Sequence, residues 1–151
     1  MIISGRWVTQ APCGSTPLYD AVGKMIHEVS GSIEATEHNP NILVSIFTDG
    51  GNTDQHGYAT DDVKQMIEQR QGWTFTYFGA NQYAWAVGNS FGIARGNTVS
   101  YSTDNMMNTM VAASAARATS ITNAKAAFKS GEQYATTSFF ADAGQSVSDY
   151  K

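Results

Sequence analysis

The chain has 151 residues, of which 42% are apolar and 15% charged, and its net charge is −4. That is enough for one domain with a buried core, and too apolar for a disordered polymer. Nine Lys and Arg with no basic run argue against nucleic-acid phosphate binding as the main task. No stretch approaches the roughly 18 continuous apolar residues that a membrane span needs, and a single cysteine, Cys13, cannot form an intrachain disulfide. The opening M-I-I-S-G-R-W lacks the basic–apolar–small order of a secretory leader, so a cytoplasmic protein is expected.

Residues 1–15 read as an irregular lead-in with at most one short strand, because Pro12 and Gly14 interrupt regular structure. A helix follows, with Ser15 or Thr16 as its cap and Pro17 at its first position. Leu18, Val22, Met25, Ile26, Val29 and Ile33 recur at steps of three and four and define its buried face, and Asn39-Pro40 ends the pattern. Ile42–Phe47 is nearly all apolar and rich in branched residues, which predicts a strand covered on both faces, as in a parallel sheet. The loop T-D-G-G-N-T-D-Q-H-G comes next.

A second helix is predicted over residues 61–71, capped by Thr60, with Asp61 and Asp62 at the positive end of its dipole and Gly72 as its stop. Val63, Met66 and Ile67 supply its apolar side. W-T-F-T-Y-F at 73–78 is the second strand, with Trp73, Phe75 and Tyr77 on one face and Thr74, Thr76 and Phe78 on the other. Gly79-Ala80-Asn81 turns the chain into a short helix from about Gln82 to Phe91, closed by Gly92. A third strand is expected near Thr98–Tyr101. Ser102 or Thr103 then caps a long helix whose apolar side is Met106, Met107, Met110 and Val111, followed by the small-residue run A-A-S-A-A-R-A. Residues 1–129 thus read as one α/β domain. Residues 130–151 form a tail that is either loosely ordered or docks through Phe139-Phe140.

Strict alternation of helix and strand implies a mainly parallel sheet in three layers with flanking helices. In such sheets ligands bind outside the carboxyl ends of the strands, where Asp49 and Asn81 are predicted to sit.

Two segments together resemble the von Willebrand factor A domain family: G-S-T-P-L-Y-D-A-V at 14–22 and I-L-V-S-I-F-T-D-G-G at 42–51. The continuation G-W-T-F-T-Y-F-G-A-N-Q at 72–82 is similar to the next strand and turn of a subgroup common in bacteriophages and bacteria, which would place a phage-encoded chain in the host cytoplasm. The likeness covers roughly residues 10–120. The family's metal-ion-dependent adhesion site combines a D-x-S-x-S motif, a threonine before a later helix and an aspartate after the next strand. By position, the resemblance makes Thr16 that threonine and Asp49 that aspartate, with Mg²⁺ (or Mn²⁺) as the implied ion. No D-x-S-x-S occurs in this chain, so the N-terminal half of the pattern is missing and only two of its five ligands could be supplied. The other reading of Asp49 is a turn-capping residue beside Gly50 and Gly51.

The resemblance also implies a neighbour for the strand at Ile42–Phe47 that this chain lacks. An apolar edge without a partner attracts other chains. Its cover would be Met1–Val8 added as a strand, a second copy of the chain, or another protein; the expectation is a homo-oligomer joined at that edge.

The remaining candidates carry less chemistry. His27, His38 and His56 have no metal-ligand spacing, no G-x-S-x-G elbow accompanies the serines, and there is neither a Walker lysine nor G-x-G-x-x-G. Asp61-Asp62 reads as a helix-start feature, Asp20 and Glu28 as residues of solvated faces, and Trp7, Trp73, Tyr83 and Trp85 as core or rim packing. Two functions remain. One is a non-enzymatic module that recognises a protein partner at the sheet's carboxyl edge, with or without a divalent cation, through Asp49, Thr16, Ser15, Thr48, Gly50, Gly51, Asn52, Asn81 and Gln82. The other is a binder of a small anion such as a nucleotide at the same edge. Metal-assisted hydrolysis comes third, because no general base stands beside Asp49.

Overall fold

The computed structural model describes residues 17–34, 40–49, 57–80 and 84–145. Seven elements alternate along them: α1 (Leu18–Glu34), β1 (Ile42–Thr48), α2 (Thr60–Glu68), β2 (Trp73–Gly79), α3 (Ala84–Ser90), β3 (Thr98–Ser100) and α4 (Met106–Lys129). The strands form a parallel sheet in the order β1-β2-β3. β1 and β2 stay in register from Ile42 opposite Trp73 to Thr48 opposite Gly79, while β3 meets only the last three residues of β2. The fold is therefore α/β with helices on both sides of the sheet, as the alternating pattern implied.

α1, α2 and α3 share one face. Leu18, Val22 and Ile26 of α1, Val63 and Ile67 of α2, and Ala84 of α3 bury against Val44, Ile46, Phe75 and Tyr77 of the sheet. The expected two-residue alternation of β2 holds: Trp73, Phe75 and Tyr77 point to this layer, and Phe78 to the other. The second layer consists of α4 and the segment after it. Ala116 of α4 packs with Phe78, Val99, Phe139 and Phe140.

The tail segment is held by polar contacts as well. Asn97 donates from Nδ2 to the carbonyls of Phe75 (3.0 Å) and Thr136 (2.6 Å), and its Oδ1 accepts from the Phe139 amide at 2.8 Å. The amide of Thr136 donates to Thr74 Oγ1 at 3.0 Å. One buried asparagine thus fastens the segment to β2 through three hydrogen bonds of its side-chain amide.

Four expectations are corrected. α2 begins at Thr60, so Thr60 is not its cap; Ala59 occupies that position, and its amide donates to the Asp62 carboxylate at 3.0 Å. A carboxylate three residues into a helix can satisfy the amide of the capping residue, so the capping residue's own side chain was not needed. Asp20 is not on a solvated face but 6% exposed. Most of the apolar side assigned to α4 faces outward: Met106, Met107 and Val111 are exposed and Met110 is half-buried, while the fully buried positions are Thr109, Ala116 and Ser120. Phe78, Phe139 and Phe140 already fill the space over the sheet, so the helix approaches through small residues rather than through its methionines. Finally, β1 is fully covered on one face and only in part on the other, where Leu43 packs against the cluster around Phe78. Val44 and Ile46 are buried, whereas Ser45 is exposed and Phe47 is 49% exposed.

Candidate functional site

The carboxyl ends of the three strands are tied together at one point, the carbonyl of Thr48. It accepts the amide of Ala80 at 3.1 Å and the phenol of Tyr101 at 3.2 Å, while the Tyr101 amide donates to the Gly79 carbonyl at 2.9 Å. Tyr101 therefore bridges from the end of β3, across β2, to the end of β1. Burial raises its pKa, and the nearby negative charge of Asp49 raises it further. Both effects favour the neutral phenol that makes this bond.

Asp49 follows directly. Its side chain is exposed and accepts no hydrogen bond among the described residues. The amides that a turn-capping Asp49 would accept lie outside the described residues; the side chain itself is exposed, on a strand end whose preceding carbonyl accepts two hydrogen bonds. Thr48 itself is buried, at 8% exposure. Thr16, Ser15, Gly50, Gly51, Asn52, Asn81 and Gln82 lie outside the described residues.

The far side of the loop that leaves Asp49 is anchored by α1. Asp20 Oδ1 accepts the amides of Gly57 (3.0 Å) and Tyr58 (2.8 Å). The Tyr58 ring lies over Gly23, where a Cβ would come within 2.7 Å of it, so only glycine permits this approach without displacement of the ring. Asp20 and Gly23, one turn apart on α1, thus hold the chain where it re-enters regular structure before α2. Both Asp20 and Tyr101 were missed as positioning residues. The sequence signal for Tyr101 was its place just after the third strand at the binding edge, but Asp20 lies around the helix from the Leu18–Val22–Ile26 stripe, where periodicity signals solvent.

Among the described residues no group of three or more His, Cys, Asp or Glu converges to hold a metal. Asp49 is the one described and exposed oxygen donor of the expected pair.

A cavity of about 330 Å³ lies at the opposite, amino end of β2, lined by Ser30, Ile33, Glu34, Gln69, Arg70 and Trp73. Its guanidinium is already engaged: Arg70 donates to Ser30 Oγ (2.9 and 3.2 Å) and to the Met66 carbonyl (2.7 Å), and lies 5.5 Å above the Trp73 ring. Burial lowers the Arg70 pKa, and Glu34 opposes that shift. These bonds join α1 to the end of α2, a structural task. No helix among the described residues is long and apolar enough to cross a membrane. Comparison with protein families, curated proteins and solved structures finds no match to this chain.

Proposed function

We infer that the chain is a non-enzymatic binding module that takes a protein partner at the carboxyl edge of its sheet, with Asp49 as the central contact. The observation that carries this reading is the exposed Asp49 carboxylate, without a hydrogen-bond partner among the described residues, on a strand end immobilised by Ala80 and Tyr101. A carboxylate held there recognises an ammonium or guanidinium group directly, or binds through a divalent cation whose coordination the partner completes. The second mode is the one that the likeness to the A-domain pattern suggests. An exposed carboxylate works against an anionic ligand, so the protein-partner reading is preferred to the nucleotide reading.

Isothermal titration with Mg²⁺ and Mn²⁺, alone and with an acidic peptide, tests the cation mode. Heat with the wild type and none with Asp49→Ala is expected; silence in both proteins would remove that mode. Titration with a Lys/Arg-rich peptide tests the direct mode. Loss of binding in Asp49→Asn with unchanged stability is the expected result, and equal binding by both proteins would refute the assignment of Asp49.

A further inference from the structure

α4 is the longest described helix, and its amino end opens where β3 stops, at the carboxyl edge of the sheet. The Tyr101 amide, bound to the Gly79 carbonyl, fixes the start of the connecting turn on that edge. The first amides of a helix have no acceptor within it, and the cap residue normally offers one from its side chain. Asn105 occupies the cap of α4 and makes no such bond. Its Oδ1 turns back and accepts the Ser102 amide at 2.6 Å, and its carbonyl takes the Thr109 amide at 2.9 Å. The amides of Met106, Met107 and Asn108 are left without an acceptor among the described residues. All three residues are exposed, and the first turn holds no acidic residue to offset the positive end of the dipole. A second observation is independent of the helix. Asn105 is 6% exposed, and its Nδ2 is a buried donor with no partner among the described residues. The Ser102 amide can only donate, so the side-chain oxygen has to face it, and a flip of the group cannot relieve the nitrogen. Aspartate at this position would keep the Ser102 bond and suit the dipole without stranding a donor. The chain instead holds a buried donor next to three open amides.

We propose that the amino end of α4 is a carboxylate site, in which Asn105 Nδ2 and the amides of Met106, Met107 and Asn108 receive an acidic group of the partner. Every group on this side is a donor, and together they lack the one thing an incoming carboxylate brings, acceptor oxygens. The carboxylate completes the cap that the chain's own side chains leave open. Asp104, just ahead of the cap, is exposed and accepts none of these amides among the described residues. The negative charges of Asp49 and Asp104 oppose a multiply charged anion at this edge, so a single carboxylate suits it better than a polyphosphate. The inference deepens the reading of this edge as a protein-binding surface and rests on it for the identity of the occupant. Asp49 takes the positive group of the partner, and α4 takes a negative one. A partner segment that carries both charges is thereby distinguished from one that carries only the basic group.

Proton–nitrogen correlation spectra of the full chain, titrated with sodium acetate and with a blocked peptide carrying one glutamate and one arginine, test the site against a sodium chloride control. Both probes should move the Asn105 side-chain NH₂ signals and the amides of Met106, Met107 and Asn108 in a saturable way. Asn105→Asp keeps the Ser102 bond but replaces the donor by an acceptor, and should weaken both probes by about tenfold or more. Asp49→Ala should weaken the peptide and spare the response to acetate. A peptide that binds Asp49→Ala as well as the wild type would refute the role of Asp49 and leave the carboxylate site at α4 standing. Silence of these signals with both probes overturns the site, and so does a response that persists unchanged in Asn105→Asp, which would mean adventitious ions at exposed amides only. Should Asn105→Asp fail to fold by circular dichroism, the wild-type spectra decide alone.

Discussion

β2 and β1 run side by side in register over seven residues, β1 rich in branched aliphatic residues and β2 in aromatics, and the structure buries them differently. From Thr74 to Gly79 every residue of β2 is buried, with helices on both faces and a strand on both edges. β1 alternates buried and exposed along its second half, and has one fully covered face, a second covered only around Leu43, and one described neighbour. The contrast is sharpest in one aromatic stack. Phe47 and Phe78 lie 4.2 Å apart and nearly parallel, but Phe78 is 1% exposed and also meets Phe140 edge-on, while Phe47 keeps 49% of its surface in water. Burial therefore decides which half of the stack stabilises the chain.

The largest effect expected from breaking this comparison is in Phe78→Ala, which should cost about 3–5 kcal/mol in urea denaturation, because the cavity opens between two packed layers. Alkaline titration comes next. Burial pushes the Tyr77 phenol up to about 12, with Tyr19 and Tyr101 adding to the shift. An unfolded tyrosine ionises near about pH 10, so the unfolded chain loses this proton first. The associated stability is complete below that pH and falls as pH rises toward the folded value, by up to about 3 kcal/mol. Thermal melts of Tyr77→Phe across that window should show a flatter decline than the wild type. Gly79→Ala at the end of β2 should cost about 1–3 kcal/mol, since its Cβ would lie 2.7 Å from that of Ala84. The smallest effect belongs to β1: Phe47→Ala should change monomer stability by about 1 kcal/mol or less. A loss as large as that of Phe78→Ala, measured on a chain shown to be monomeric, would mean that the two strands are equally buried after all.

Much of the fold was legible because it depends on local rules. Periods of two and of three to four marked three strands and four helices near their observed places, and the stop at Gly92 reflects a backbone with φ of +76°. The candidate site was legible only as a position. Thr48 and Asp49 end β1 as the apolar run predicts, but the Tyr101 bridge joins residues 53 apart in sequence, and the Asp20 anchor joins residues 37 and 38 apart. Periodicity reports one face of one helix, so a polar second contact on α1 carried no signal. The methionines of α4 failed for a related reason. Hydrophobicity suggested the inward side, but the space inside was already taken by three phenylalanines, two of them from the tail.

The sequence by itself determined the class of fold, the direction of its strands and the end of the sheet at which Asp49 stands, because hydrophobic spacing, breakers and helix–strand alternation are properties of short stretches. Only the tertiary structure decided which face of α4 looks inward, that Asp20 is a buried acceptor, and that the second face of β1 is covered only in part. Those outcomes depend on which distant groups compete for the same space and the same hydrogen bonds, and that competition exists only once the chain has folded.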